Sequence, residues 1–193
     1  MTVTLNIVGD AEADALLSSD PLALLIGMLC DQQYPMEAAF AAPKKIADRM
    51  GGLDVHRIAE SDVDEFASMC SVPPAIHRYP GSMAKRIHEL CHIIIDRYDS
   101  SPAAIWTEGD PDGKEVLKRL KALPGYGDQK ARIFLAILGK QYEVEPAGWR
   151  QAAGDYGLEG SRRSVADVTD AQSLQEVRAF KKEAKAAAKA AKA

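Results

Sequence analysis

Hydrophobic and polar positions alternate along this chain mostly with a helical period. From Leu22 to about Gln33 apolar residues occupy most faces, which predicts a buried helix. Ser19-Asp20-Pro21 ahead of it supplies a capping acid and then a proline at the first helical position. Ala11 to Leu17 predicts a shorter helix before it, and Thr2 to Val8 a short strand or extended arm. Beyond Pro35 a helix runs toward Met50, kinked or divided at Pro43 and ended by Gly51-Gly52. Val55 to Glu60 is a short helix, and Ser61-Asp62-Val63-Asp64 reads as a capping box for the next. Residues 71–81, with three prolines, form a loop. Met83, Ile87, Leu90, Ile94 and Tyr98 then mark one face of a long amphipathic helix over 82–98.

Asp110-Pro111 opens a further helix ending near Ala122. Asp128 to Leu138 is an apolar helix closed by Gly139. Glycines break residues 147–170 into short helices and loops. Ala171 to Ala193 is one helical pattern that decays into Ala/Lys low complexity. No fixed-period repeat is present, and the fold class expected is all-α.

The 193 residues suit one domain or two closely packed halves, with 47% hydrophobic and 27% charged residues. That composition excludes overall disorder and a disulfide-rich secreted scaffold. No apolar run reaches membrane-spanning length. The N-terminus shows no basic leader, and Cys30, Cys70 and Cys91 are odd in number and widely spaced. A cytoplasmic protein with reduced thiols is expected. The net charge is −4, of which residues 181–193 carry +4, leaving −8 for the rest. Any nucleic acid partner must therefore be held by local contacts rather than bulk charge.

The most informative stretch is Leu123-Pro124-Gly125-Tyr126-Gly127 between two helices, followed by Lys130-Ala131. Gly125 and Gly127 permit positive φ and leave the amides uncovered. Successive N–H groups at the start of the next helix suit a phosphate, and Lys130 in its first turn would neutralise the charge. The plainer alternative is a tight turn between packed helices.

Residues 123–131 resemble the hairpin of the helix-hairpin-helix DNA glycosylases, the HhH-GPD superfamily of base-excision repair. Residues 27–33 (Gly-Met-Leu-Cys-Asp-Gln-Gln) are similar to that family's early helix ending in a glutamine pair. Residues 79–86 (Tyr-Pro-Gly-Ser-Met-Ala-Lys-Arg) are similar to its Gly-x-x-x-x-Lys-Ala segment. Gly109-Asp110, Leu117 and Leu120 complete the order, so the resemblance covers about residues 21–150.

The resemblance implies two helical lobes with a cleft between them: residues 20–139 with the hairpin, and 1–19 plus 140–180, followed by the tail 181–193. It implies extrusion of a nucleotide and cleavage of its N-glycosidic bond through an oxocarbenium-like transition state that a carboxylate stabilises. The family's catalytic aspartate follows the helix after the hairpin; here Glu145 stands in that region, with Asp155 as a weaker substitute. A solvated loop glutamate is the open alternative. The lysine of bifunctional members is replaced by Gln129, and Lys130 points about 100° away on a helix. A monofunctional enzyme without lyase activity is expected. Gln32 and Gln33 match the pair beside the flipped nucleotide. Asp31, Tyr34 and Trp149 are candidates for the base pocket, against a solvated helix-end charge for Asp31 and core packing for the aromatics.

No cysteine follows Cys91, which excludes the iron–sulfur cluster of some members. His88 and His92 lack further ligands, so neither metal nor other cofactor is expected. The partner implied is double-stranded DNA containing a damaged or mismatched base, bound by a monomer. The five tail lysines form a basic stripe suited to salt-dependent, sequence-blind DNA affinity, or else a solvated tail. Two rival readings remain: a DNA-binding module with the glycosylase fold but no chemistry, and an interaction protein whose hairpin is structural only.

Overall fold

The structure, a computed structural model, describes residues 3–192. Thr2 and Ala193, the ends of the expected arm and of the last helix, lie outside them. Among the described residues there is no strand. Residues 3–8 are an extended arm whose Leu5 and Ile7 are buried. The Asp14 carboxylate holds this arm, accepting from the N–H of Ile7 (2.9 Å), Val8 (2.8 Å) and Gly9 (3.0 Å).

The helices are α1 (Ala11–Ser19), α2 (Pro21–Cys30), α3 (Met36–Phe40), α4 (Ala42–Met50), α5 (Val55–Glu60), α6 (Val63–Ser71) and α7 (Pro80–Tyr98). They are followed by α8 (Ala104–Thr107), α9 (Gly113–Lys121), α10 (Asp128–Gln141), α11 (Trp149–Ala153) and α12 (Ala171–Ala190). Two 3-10 turns, Gly154–Gly157 and Val165–Asp167, separate the last two helices. Aspartates 10, 20, 54, 62, 112 and 170 each cap a helix N-terminus with the side chain. Six of the 28 acidic side chains are therefore used at helix starts, where the backbone dipole favours them.

Two helices form the centre. Every residue of α2 from Leu22 to Cys30 is buried, and α10 is buried from Ile133 through Gly139. Each large apolar side chain so covered stabilises the fold by about 2 kcal/mol. Helices α1, α3, α4 and α7 surround α2, while α9, α11 and the 3-10 turns surround α10. The expected face of α7 is found: Met83, Ile87, Leu90 and Ile94 are buried.

Several boundaries differ from the sequence expectation, each for a tertiary or capping reason. Helix α2 stops at Cys30, so Asp31, Gln32 and Gln33 lie beyond it. The cap of α6 is Asp62 alone, because the Ser61 hydroxyl donates back to the Ile58 carbonyl at 2.6 Å. Asp112, not Asp110, caps α9. There Gly113 abuts Trp149 so closely that a Cβ would lie 2.5 Å from its Cα. Gly139 does not end α10; the helix continues to Gln141 because the bare glycine seats the Trp149 ring.

Candidate nucleic-acid interface

Helices α9 and α10 flank the hairpin. Gly125 has φ +76°, the left-handed conformation that glycine permits. Gly127 instead has φ −71° in the extended N-cap position of α10, so its expected positive φ is corrected. Leu123 and Tyr126 are buried, and the Tyr126 N–H donates to the Leu123 carbonyl at 3.2 Å to close the turn. The Tyr126 hydroxyl donates to the Leu25 carbonyl at 2.7 Å inside the core. Its side chain thereby anchors the hairpin to α2.

Gly127, Asp128 and Gln129 are exposed and Lys130 half-buried. Among the described residues their four N–H groups have no protein acceptor. They form the open start of a fourteen-residue helix. Arg132 (2.7 Å) and Lys121 (3.0 Å) pair with the Asp128 carboxylate and hold its pKa below the ordinary value, so its charge near those amides is compensated.

Lys130 is not poised as a free phosphate neutraliser. Its Nζ donates to the Leu29 carbonyl at 2.8 Å, taking up a backbone acceptor at the end of α2. Burial lowers its pKa, and nearby Asp31 partly opposes that. Nor does Lys130 turn away from the site: it and Gln129 both line one cleft of 690 Å³. Gln129 Nε2 donates to the Tyr156 hydroxyl at 2.8 Å.

The opposite side of that cleft is the strip Asp31, Gln32, Gln33 and Tyr34. Gln33 adopts φ +52°, a strained conformation for its type, and this turns the chain into the cleft wall. The Gln32 side chain accepts from Arg86 Nη1 at 3.0 Å. The Gln32 carbonyl accepts from His77 Nε2 at 3.0 Å, while His77 Nδ1 accepts from the Tyr79 N–H at 3.0 Å. These two bonds fix a neutral imidazole with the proton on Nε2, and burial lowers its pKa accordingly. The His77 ring lies 4.6 Å from that of Tyr34. Burial raises the Asp31 carboxyl above its ordinary value, with Lys181 and then Lys130 opposing. Met28 and Ile133 give an apolar floor; Tyr156, Arg163, Phe180, Lys181 and Ala184 complete the wall.

The structure therefore brings Asp31, Gln32, Gln33, Tyr34 and Lys130 to one cleft beside the open amides. It does not bring Glu145 or Trp149 there. Glu145 is exposed and lines a separate hollow of 250 Å³ with Lys140 and Arg150, sharing no residue with the cleft. Trp149 is 5% exposed, seated on Gly139, with the Arg150 guanidinium 4.5 Å over its ring. It is a core residue, which corrects its assignment to the base pocket. Asp155 is exposed and lies 3.6 Å from Arg163.

Sequence reasoning missed Arg86, Arg163 and Phe180. Arg86 follows Lys85 in a segment that was already informative, and its Cδ packs 3.4 Å from where a Gly125 Cβ would stand. Arg163 has no local signal. It is placed by Asp167, buried beneath it, which accepts from Lys140 Nζ (2.6 Å) and from the Arg163 N–H (2.8 Å).

A family profile described as HhH-GPD superfamily base excision DNA repair protein matches residues 26–193. No curated protein matches the chain. Among solved structures, a trapped endonuclease III–DNA covalent intermediate is similar at 19% identity. That match covers 69% of this chain and 55% of the other, with a TM-score of 0.41. A non-covalent endonuclease III–DNA complex matches at 15% identity, with 86% and 73% covered and a TM-score of 0.45. A thermostable thymine-DNA glycosylase matches at 13%, with 82% and 70% covered and a TM-score of 0.43. The chain thus spans little more than half the length of the first of these.

Proposed function

Since the chain belongs to the HhH-GPD superfamily of base excision DNA repair proteins, we propose that it is a monofunctional DNA glycosylase that receives a damaged or mismatched base, extruded from duplex DNA, in the 690 Å³ cleft. One observation carries this reading: Gln129 and Lys130 offer unpaired amides at the start of α10, and the same two residues line the cleft. A phosphate at those amides sets the neighbouring nucleotide at the cleft mouth. The volume is that of an ordinary small-molecule site. Residues 20–139 form the hairpin-bearing lobe in this reading, and residues 1–19 with 140–180 the other.

Within the cleft the carboxylate belongs to Asp31, and we assign it the role first expected of Glu145. As the N-glycosidic bond breaks, its electron pair leaves with the base and C1′ becomes cationic. An ionised Asp31 stabilises that charge and orients the water whose oxygen then bonds to C1′, while the proton that water sheds passes to the departing base anion. Gln129 carries an amide and forms no imine with the sugar, while the Lys130 amine is occupied by the Leu29 carbonyl. Arg86, Arg163 and Lys181 supply local positive charge at the cleft despite the acidic body.

The position of Glu145 outside the cleft favours a second reading, DNA binding without chemistry. One experiment separates them. Duplexes carrying alkylated, deaminated, oxidised or mismatched bases are incubated with protein and then treated with alkali. The glycosylase reading expects cleaved product with wild type and Glu145→Gln, and none with Asp31→Asn. Salt-sensitive binding without product supports the second reading. Neither binding nor product overturns both.

A further inference from the structure

The C-terminal half of α12 is a basic surface outside the amide site. This helix is docked by its first half: Ser173 and Val177 are buried, Leu174 is half-buried, and Arg178 pairs with Glu37. The Arg163 guanidinium lies 5.3 Å over the Phe180 ring. From Lys181 to Ala190 every residue is exposed. An isolated alanine-rich segment of that length is marginally helical in water, but here the docked half provides the nucleus.

Lys181, Lys185 and Lys189 stand four residues apart, so they share one face with a rise of about 6 Å between neighbours. Lys181 lines the cleft, so the row begins there and runs outward along the helix. Among the described residues none of the three forms a salt bridge, although the other basic side chains near the cleft have polar partners: Lys130 on Leu29, Arg86 on Gln32, Arg163 on Asp155. Unpaired cations in a row, on a body of charge −8, are complementary to a linear polyanion that the rest of the surface repels.

We propose that α12 is a two-part DNA-holding element. Phe180 and Lys181 close the cleft, and the Lys181–Lys185–Lys189 row holds the phosphodiester strand of the duplex flanking the extruded nucleotide. The row is about 12 Å long, which spans three to four base-pair steps of about 3.4 Å. This rests on the glycosylase-fold reading of the cleft, because the row takes its direction from there. Its contacts are to phosphate and carry no base information, so they act equally on damaged and intact duplex.

The test uses the full-length protein and a fluorescent duplex of about 20 base pairs, either intact or with a central abasic analogue, titrated from about 50 to 200 mM salt. Lys185→Gln/Lys189→Gln and the triple variant with Lys181→Gln keep good helix formers in place. The slope of log affinity against log salt should fall by about 0.9 per lysine, hence by nearly 2 and by about 2.7. The loss in affinity should be the same factor on both duplexes. Wild-type binding with an unchanged slope in both variants overturns this inference alone, as does a loss confined to the abasic duplex. No duplex binding by the wild type overturns it together with the reading of the cleft.

Discussion

The Lys130 ammonium donates a 2.8 Å hydrogen bond to the carbonyl of Leu29, joining the start of α10 to the end of α2. It lies where the open hairpin amides and the Asp31–Tyr34 strip meet at one cleft. It also occupies the Lys130 amine at the cleft. Wild-type protein should therefore give no borohydride-trapped complex with an abasic duplex. Gln129→Lys, which puts a free amine at the cleft position beside Tyr156, should give trapped complex and strand nicking. Lys130→Met should cost about 1–2 kcal/mol in urea unfolding, since it leaves a carbonyl at a helix end without its partner. Trapping by wild type that disappears in Lys130→Met would refute the assignment.

The raised pKa of Asp31 sets a pH dependence with opposite signs for rate and stability. In the proposed glycosylase reading the ionised carboxylate is the active form, so single-turnover rate should rise with pH along a limb centred above the ordinary value of 3.8. Folding favours the protonated form. The stability this group contributes is full below 3.8 and is lost as pH rises through the raised value. Asp31→Asn should abolish the rate limb and remove that loss of stability. A rate profile in Asp31→Asn identical to wild type would exclude Asp31 from the chemistry.

Tyr126 is a structural anchor, so its effects should fall on stability and spare DNA. Tyr126→Phe loses one buried hydrogen bond to Leu25 and should destabilise by about 1 kcal/mol. Duplex affinity, read by anisotropy, should stay within about twofold of wild type, a difference of under about 0.5 kcal/mol. A tenfold loss of affinity in a fully folded variant would place the hydroxyl at the interface after all.

Gly139→Ala tests the seat of Trp149. The added methyl would lie 2.5 Å from the indole ring, which is itself buried against α10. The expected cost is about 1–3 kcal/mol, and the tryptophan emission should shift to the red as the ring is displaced. Unchanged stability and emission would show that the ring has room to move.

The arm offers a test remote from the cleft. Asp14→Ala removes the acceptor of three N–H groups, leaving that of Ile7 buried. A loss of about 2–4 kcal/mol is expected, with early protease sensitivity at residues 3–9. Equal protection of the arm in the variant would mean that Leu5 and Ile7 hold it by packing alone.

What the sequence determined by itself is what neighbours three or four residues apart encode. The Asp20-Pro21 start of α2, the buried face of α7, the division near Pro43 and the turn at Gly125 are all local, because caps, periodicity and glycine freedom act within a few residues. The pattern at 123–131 likewise revealed the family. Only tertiary structure decided which chemical groups meet. Helix α2 ends at Cys30 beside a lysine 101 residues from Leu29, Gly139 continues a helix because Trp149 needs its space, and the low-complexity tail becomes a cleft wall through Lys181 and Ala184. Glu145, chosen by its position along the chain, lies outside the cleft, while Asp31 lies within it. Such meetings depend on how whole helices pack, and no interval along the chain records that geometry.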